Sequence, residues 1–399
     1  MLKKLSSLLL FATFTSTQAA ESLADAITEG DANISFRYRF EHVDQDGVAR
    51  NANASTLKTR LNYKTKKYNG FTVFVEADNV AEVFSDNFNS GAGTTPTRGQ
   101  YPVVADPTGT EINQAWVSWS NDNNNVKVGR QRINLDNQRF IGGVGWRQNE
   151  QTFDALTYKT KLGKADLFLG YADDVNRIFG DEVAAGNHDS ETIMANVSVP
   201  FENKSKLVFY YYDIDNEDVA AFSTSTAGLS YAMKFNTDQT PVDLRFEYAQ
   251  QSDSANNPVD YDASYIRLDG GVKLNNFKLR AGMEILEGDV NAPGSSFRTP
   301  LATLHAFNGF ADRFLATPEA GLEDKFVGLN WSQNAHKFGM TYHDFSAEDG
   351  GADYGTELDM VYSYKFSKNY STLLKFADYS SDGFSVDGQK YWMMFVAKF

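Results

Sequence analysis

The sequence predicts an all-β fold: a transmembrane antiparallel β-barrel of about 18 strands, with short periplasmic turns and long extracellular loops. Three observations predict it. Apolar and polar residues alternate with a period of two, tight turns alternate with long polar connections, and the final segment ends on an aromatic residue. After the N-terminal segment no apolar run approaches the roughly 20 residues that a spanning helix requires, yet 14% of the residues are aromatic. This combination suits a membrane barrel better than a soluble domain.

The first twenty residues have the three zones of a secretory signal. Two lysines precede an apolar core that ends at Phe14, and small residues lead to Ala19 and Ala20, after either of which we expect cleavage. A membrane anchor is the alternative, but the apolar core is far shorter than the ~20 residues of a spanning helix. We therefore divide the chain into a signal peptide at 1–20 and a barrel domain at 21–399.

Composition limits the possible partners. The chain carries 37 basic and 52 acidic residues, a net charge of −15, and loss of the two signal-peptide lysines leaves 35 against 52, a net charge of −17. Nucleic acid is therefore not expected as a partner, because its phosphates are bound by basic surfaces. Cysteine is absent, which excludes a disulfide scaffold and a thiolate metal site. No Asp-rich segment has the full spacing of a calcium-binding loop, so we expect neither metal nor cofactor.

Alternation is clearest in the first expected strand, where three aromatic residues share one face and three charged residues share the other. These are Phe36, Tyr38 and Phe40 against Arg37, Arg39 and Glu41. The same separation recurs at 244–248, 278–285 and 357–366. A soluble β-sandwich would show the same pattern, so the connections between strands have to distinguish the two folds.

The connections alternate strictly between short and long. Tight turns are expected at 68–70, 121–125, 162–164, 202–204, 236–238, 275–276, 334–336 and 367–369, and longer polar connections near residues 50, 95, 140, 181, 218, 256, 304, 350 and 384. Eight turns and nine longer connections join 18 strands. A soluble sandwich has no reason to sort its loops in this way, whereas an outer-membrane barrel has tight periplasmic turns and extended outer loops.

The final segment places Tyr391, Met393 and Phe395 on the same face as the terminal Phe399. It resembles the C-terminal assembly signal of bacterial outer-membrane proteins. Together with the signal peptide, it predicts an integral protein of the bacterial outer membrane. The expected partners are outer-membrane lipid, lipopolysaccharide and, through Phe399, the barrel assembly machinery.

The most specific motif lies at 128–155, a stretch rich in Arg and Gly, and consists of four elements. They are Val128-Gly129-Arg130-Gln131-Arg132, then Asp136-Asn137-Gln138-Arg139-Phe140-Ile141-Gly142, then Trp146-Arg147, then Phe153-Asp154-Ala155. This series resembles the alginate-export family of outer-membrane porins, whose members carry a similar series between two neighbouring strands. The resemblance covers about thirty residues strongly. It implies an eighteen-stranded barrel and an arginine-lined constriction that passes an acidic polysaccharide or a smaller anion.

Ten arginines are candidate pore-lining or solute-binding residues. The family resemblance assigns this role to Arg130, Arg132, Arg139 and Arg147. Strand alternation adds Arg37, Arg39, Arg60, Arg245, Arg267 and Arg280. Arginine suits the role because its planar guanidinium binds a carboxylate through two hydrogen bonds and stays charged, and rings of charge set pore selectivity.

A purely structural role is the alternative for each of these arginines. Arginine and aspartate on one barrel face also form salt bridges that only stiffen the wall, and Asp136 or Asp154 could neutralise nearby arginines. We expect Gly142, Gly143 and Gly145 to permit a tight inward fold of their loop, which is a backbone role without chemistry.

These observations predict a passive porin, monomeric or trimeric, for small hydrophilic solutes such as anionic sugars or oligosaccharides, including alginate fragments. The chain departs from the family's alginate exporter, since it is shorter and no tight turn is expanded into a long periplasmic segment. We therefore do not expect a dedicated secretion machine.

Two other classes of function remain open. The long connections at 79–110 and 286–322 could form an adhesin or a plug that fills the lumen, although eighteen strands enclose more space than side chains fill. An outer-membrane hydrolase would need a nucleophile and a positioned base. No Gly-x-Ser-x-Gly sequence occurs, and His188 and His305 lie in expected loops without a recognisable Ser or Asp partner. We therefore expect no enzyme.

Overall fold

A computed structural model describes residues 20–202, 204–237 and 240–399. The expected signal peptide therefore lies, except for Ala20, outside the described residues, and so do parts of the predicted turns at 202–204 and 236–238. The described residues form a single closed sheet of 18 antiparallel strands, which confirms the predicted fold class. Within these ranges, no helix has both the length and the apolar character needed to cross a bilayer.

One α-helix precedes the strands, and short 3-10 helices lie in four of the loops. The α-helix is α1 (Leu23–Thr28), and the 3-10 helices are Pro96–Arg98, Ala184–Gly186, Ala220–Phe222 and Leu304–Ala306. The strands are β1 (Asp31–Gln45), β2 (Ala52–Lys64), β3 (Phe71–Asn87), β4 (Gly109–Ser120), β5 (Asn124–Gln131), β6 (Thr152–Leu162), β7 (Ala165–Asn176), β8 (Asn187–Pro200), β9 (Lys206–Asn216), β10 (Thr224–Thr237), β11 (Thr240–Asp253), β12 (Asp262–Leu274), β13 (Phe277–Leu286), β14 (Leu322–Gln333), β15 (His336–Ser346), β16 (Asp353–Lys365), β17 (Tyr370–Ser381) and β18 (Gly388–Lys398).

Each strand pairs with the next along the chain, and β18 closes the barrel against β1. The closing seam runs from Ser35 opposite Lys398 to Gln45 opposite Gly388. Short connections separate the strands at one end and long connections at the other, as the sequence predicts. Closure gives every strand two paired neighbours and leaves no open sheet edge. The hydrocarbon region requires this, because it offers no water to satisfy free backbone amides.

Side chains alternate between the lipid face and the lumen. On β11, Leu244, Phe246 and Tyr248 are exposed on the outer face, whereas Glu247 between them is fully buried inside. Arg245 shares the inner face and donates to Glu247 through Nη2 at 2.7 Å. The predicted separation of an apolar face from a charged face is therefore present, and the charges point inward.

The leader before the first strand stays at the end of the barrel with the short turns. It forms α1, whose N-cap Ser22 accepts a hydrogen bond from the backbone N–H of Asp25 at 3.1 Å. The carbonyl of Ala26 accepts from the backbone N–H of Lys66, in the β2–β3 turn, at 3.0 Å. The first strand follows at Asp31.

Three long connections fold into the lumen from the extracellular end. The 132–151 and 287–321 loops share an apolar cluster with the wall, in which Phe140 packs against Tyr265 and Phe297 with ring centroids 5.4 and 6.0 Å apart. In the 88–108 loop, Phe88 and Val104 pack on the wall beside β1 and β2. The extracellular half of the barrel is therefore narrowed by packed loops.

Candidate functional site

The 132–151 and 287–321 loops meet through backbone hydrogen bonds. The N–H of Gly142 donates to the carbonyl of Leu301 at 2.9 Å, and the N–H of Thr303 donates to the carbonyl of Gln138 at 3.0 Å. A Cβ on Gly142 would lie 2.3 Å from Thr303 Oγ1 and 3.0 Å from the backbone nitrogen of Thr303. Glycine is therefore required here because the two backbones approach closely.

Replacing Gly142 with alanine is expected to separate the two loops and to lower stability by about 1–3 kcal/mol, as overpacking of a tight contact does. The temperature at which the folded barrel loses its fast electrophoretic mobility measures this change. Gly145→Ala is the matched control, because nothing lies within 4 Å of an added Cβ there. Equal behaviour of the two variants would contradict the close-approach explanation.

Arg139 anchors the 132–151 loop across the lumen and does not line an open channel. Its side chain is 2% exposed and donates to Glu284 at 2.9 Å, to Asn308 at 3.1 Å and to Thr299 at 3.2 Å. Glu284 belongs to β13, while Thr299 and Asn308 belong to the 287–321 loop. This one guanidinium therefore joins two loops to the wall.

Arg147 and Arg39 are buried anchors of the same kind. Arg147 donates to Glu41 on β1 and to Asp312 in the 287–321 loop, each at 3.1 Å. Arg39 donates to Glu41 at 2.8 Å and its guanidinium carbon lies 4.3 Å from the centroid of the Trp146 ring. Both arginines are nearly inaccessible to solvent, so they hold the loop to β1 and offer no charge to a passing solute.

His305 is the centre of a buried network in the 287–321 loop. Its Nδ1 lies 2.6 Å from Asp312 Oδ1, its Nε2 lies 2.7 Å from Lys375 Nζ, and its ring stacks on Trp146 with centroids 4.5 Å apart. The sequence carries no recognisable partner motif for His305, and the fold of the loop brings its side chain against Asp312, seven residues away. Both imidazole nitrogens are occupied.

Burial and the neighbouring ammonium of Lys375 hold the pKa of His305 well below its usual range. Burial opposes ionisation of Asp312, but His305, Lys390 and Arg147 together hold the pKa of that carboxyl well below its usual range. The network is therefore built for a neutral imidazole beside an ionised carboxylate.

The His305 anchor is expected to weaken as the pH falls from about 7.5 to about 5. An unfolded imidazole takes up a proton below about pH 6.5, whereas the buried one resists it, so stability present above that pH is lost on acidification. The pH dependence of the unfolding temperature, compared between wild type and His305→Asn, measures this contribution. An identical pH dependence in both proteins would contradict it.

One wall of the lumen carries a cluster of cations and carboxylates on β2, β3 and the 132–151 loop. Arg60 donates to Asp78 at 2.7 Å and to Glu150 at 2.9 Å. Arg132 donates to Glu76 at 3.2 Å and also to Glu150. Burial opposes ionisation of Glu150, but Lys58, Arg60 and Arg132 lower the pKa of that carboxyl well below its usual range. We call this group the β2 charge cluster.

Arg37 lies beside the β2 charge cluster, but its guanidinium donates hydrogen bonds to acceptors in the 132–151 loop. Its guanidinium donates to Gln148 Oε1 at 2.8 Å, to the carbonyl of Gly145 at 2.9 Å and to the carbonyl of Arg147. Below it, a cavity of about 690 Å³ opens toward the periplasmic end, lined by Arg37, Lys58 and Arg60 among others.

The opposite wall carries a second cluster, on β11, β12 and β13. Arg267 and Arg280 both donate to Asp269, at 2.7 and 2.9 Å. Arg245 donates to Glu247, as described above. These arginines line cavities beside the tip of the 287–321 loop. We call this group the β12 charge cluster.

Arg130 lies on the outer face of the barrel, contrary to the expectation from the family motif. It shares one face of β5 with the exposed Val128 and donates to Asp154 through Nε and Nη2, both at 2.9 Å. The groove around it is lined by Ile112, Val128, Leu156 and other outward residues. The correction follows from strand geometry, since Gln131 and Gly129 take the inner positions.

Sequence reasoning missed several residues of the lumen. Lys58 has the inward register of Arg60, and Glu76 and Asp78 alternate in the same way on β3, so the period of two could have found them. Glu150 and Asp312 stand in loops, where no local pattern predicts which side chain reaches the wall. Of the two aspartates expected to neutralise arginines, Asp154 pairs with Arg130, whereas Asp136 pairs with Lys206 at 3.4 Å.

The eighteen strands close into a barrel with an apolar outer belt, short turns at one end and long loops at the other. Its lumen is charged and is narrowed from the extracellular end. These features define an integral, porin-like protein of the bacterial outer membrane. The chain belongs to the alginate export family, whose model matches residues 29–282. This match confirms the resemblance drawn from the 128–155 motif. No curated protein sequence matches the chain.

Solved structures share the fold at low sequence identity. Acinetobacter baumannii OccAB4 is 14% identical with a TM-score of 0.71, over 96% of this chain and 100% of that one. Pseudomonas aeruginosa OccK9 (OpdG) is 12% identical with a TM-score of 0.72, over 94% and 100%. Pseudomonas aeruginosa OpdK, solved with vanillate, is 12% identical with a TM-score of 0.72, over 94% and 99%.

Proposed function

We propose that this chain is a passive, anion-preferring channel for small hydrophilic solutes. The observation that carries the proposal is a difference in burial: in the β2 and β12 charge clusters, the arginine side chains are more exposed than the carboxylates with which they pair. Arg132 is 27% exposed and its partner Glu150 6%, while Arg280 is 37% exposed and its partner Asp269 7%. In the other arginine–carboxylate pairs of both clusters, the arginine is likewise more exposed than its partner. A solute in the lumen therefore meets guanidinium groups, with carboxylates behind them.

Small carboxylates and anionic sugars are the solutes that this lining fits. A guanidinium fork binds a carboxylate through two hydrogen bonds, and the two clusters face each other across the barrel below the loops. The family's description as alginate export supports anionic oligosaccharides such as alginate fragments. The vanillate in the OpdK structure supports a smaller carboxylate solute. A passive channel moves either kind down its gradient, inward or outward.

A catalytic role finds less support than transport. The best histidine for a general base, His305, has Asp312 on Nδ1 and the ammonium of Lys375 on Nε2. A general base needs a free nitrogen within reach of its proton donor. The same network serves well as a structural anchor of the loop.

A plugged structural or adhesive barrel is the second candidate, and the packing of the loops favours it. Phe140, Phe297 and Leu301 belong to an apolar cluster that fills part of the extracellular half. A barrel sealed in this way would present its outer loops to a surface partner and pass no solute. Solute flux therefore separates the two functions.

Liposome swelling tests the proposal with three sugars of similar size. Proteoliposomes that contain the folded, heat-modifiable barrel are diluted into glucuronate, glucose or glucosamine. We expect the fastest swelling in glucuronate and the slowest in glucosamine. Equal or faster entry of glucosamine would overturn the anion preference, and no swelling in any sugar would favour the plugged barrel.

A further inference from the structure

The short helix α1 lies on the outer side of the periplasmic rim. Tyr63 on β2 stands between Ala32 of β1 and Val75 of β3, and Val75 is exposed on the lipid face. The Tyr63 hydroxyl donates to the carbonyl of Ile27. A Cβ on Gly30 would lie 2.0 Å from the Tyr63 hydroxyl oxygen. The chain therefore passes over an outward-facing tyrosine before it enters the first strand.

The helix has one buried side and one exposed apolar side. Ala26 is buried, and its carbonyl accepts from the backbone of the β2–β3 turn, as described above. Leu23 and Ile27, one turn apart on a common face, are 62% and 53% exposed. The acidic Glu21 and Glu29 flank the helix and are exposed as well. Two large apolar side chains thus project from a helix that is fixed to the barrel.

Aromatic residues at the periplasmic ends of the strands indicate where α1 lies along the membrane normal. Several are exposed on the lipid face: Phe71, Phe277, Tyr370 and Phe399. Aromatic girdles of this kind lie at the boundary between hydrocarbon and headgroups. Phe71 begins the strand that follows the turn to which α1 is bound. The exposed apolar side of α1 is therefore at the level of the membrane interface.

We propose that α1 is an interfacial anchor whose Leu23 and Ile27 insert among the phospholipids of the periplasmic leaflet. The occupant is lipid because the helix continues the lipid-facing surface of Tyr63 and Val75. A helix with one apolar face and one polar face lies in the plane of such an interface. The anchor extends the lipid contact of the barrel beyond its strands and holds the start of β1 beside the β2–β3 turn.

Spin labels test the proposal directly, since the chain has no cysteine and each introduced cysteine is labelled uniquely. Leu23→Cys, Ile27→Cys and Glu29→Cys are labelled with a nitroxide in the folded full barrel in phosphatidylethanolamine and phosphatidylglycerol vesicles. We expect the ratio of oxygen to nickel-chelate collisions to be several-fold higher at 23 and 27 than at 29. Leu61→Cys, on the lipid face of β2, sets the value for lipid. Water-like ratios at 23 and 27, or labels shielded from both reagents as by a protein partner, would overturn the proposal.

A second experiment tests insertion of Leu23 and Ile27 without replacing either of them by the label. The label is placed at Ala24, which is exposed between the two apolar residues, and Leu23 and Ile27 are both changed to serine. We expect a lipid-like ratio for the Ala24→Cys label while Leu23 and Ile27 are present and a water-like ratio once both are serine, with heat-modifiable mobility retained in both proteins. An unchanged ratio would show that the apolar pair does not hold the helix in the membrane, and would also overturn the proposal.

Discussion

Replacing Arg60 and Arg132 together with glutamine is expected to change the ion preference of the channel from anions to cations. The β2 charge cluster then loses two positive charges while Glu76, Asp78 and Glu150 remain at the lumen wall. We expect a change of about 1–2 kcal/mol in the relative energy of anions and cations, roughly a tenfold change in their permeability ratio. The reversal potential under a salt gradient measures it.

Arg130→Gln is the matched control for this experiment. It removes one positive charge two residues from Arg132, but from the outer face of the barrel, where the guanidinium pairs with Asp154. The reversal potential of this variant should equal that of the wild type. Equal shifts in both variants would contradict the assignment of Arg132 to the lumen and Arg130 to the outer wall.

Replacing Arg139 with alanine is expected to release the 132–151 loop from the 287–321 loop and to increase single-channel conductance several-fold. The change leaves Glu284 without its closest cation in a buried position, and breaking a buried ion pair costs about 3–5 kcal/mol. The strand ladder does not use this side chain, so the barrel itself should still form. Conductance steps in planar bilayers measure the opening, and retained heat-modifiable mobility shows that the barrel is folded.

Arg98→Ala controls for the loss of any loop arginine. Arg98, in the 88–108 loop, pairs with Glu82 of β3 at 2.6 Å, but both side chains are nearly a quarter exposed, and exposed pairs contribute only about 0–1 kcal/mol. The single-channel conductance of the Arg98→Ala variant should match that of the wild type. An unchanged conductance in Arg139→Ala would show that this guanidinium does not hold the constriction in place.

The barrel could be predicted from the sequence because its determinants are local. A period of two assigns each strand residue to one face, and turns such as 68–70 and 275–276 carry their own Asn and Gly signals. Arg130 could also have been assigned from this period, since it shares its face with Val126 and Val128 on β5. The family motif suggested the opposite face, and in this case the strand geometry is decisive.

The interior of the lumen could not be predicted in the same way. Arg139 meets Glu284 from 145 residues away, and such contacts depend on how two long loops pack together. Residues in these loops follow no period, so Asp312 beside His305 gives no signal in the sequence. The burial of Arg39, Arg139 and Arg147 as anchors follows from this packing. On strands that the loops cover less, the arginines remain partly exposed on the inner face that alternation predicts: Arg60, Arg245, Arg267 and Arg280.

Single-channel recording of the wild-type barrel in a planar bilayer tests the central claim most directly. The folded barrel is placed between two potassium chloride solutions of different concentration, and both conductance and reversal potential are measured. The exposed guanidinium groups of both charge clusters predict discrete open channels with a reversal potential on the side of chloride. A folded barrel without conductance, or an open channel that prefers potassium, would contradict this account.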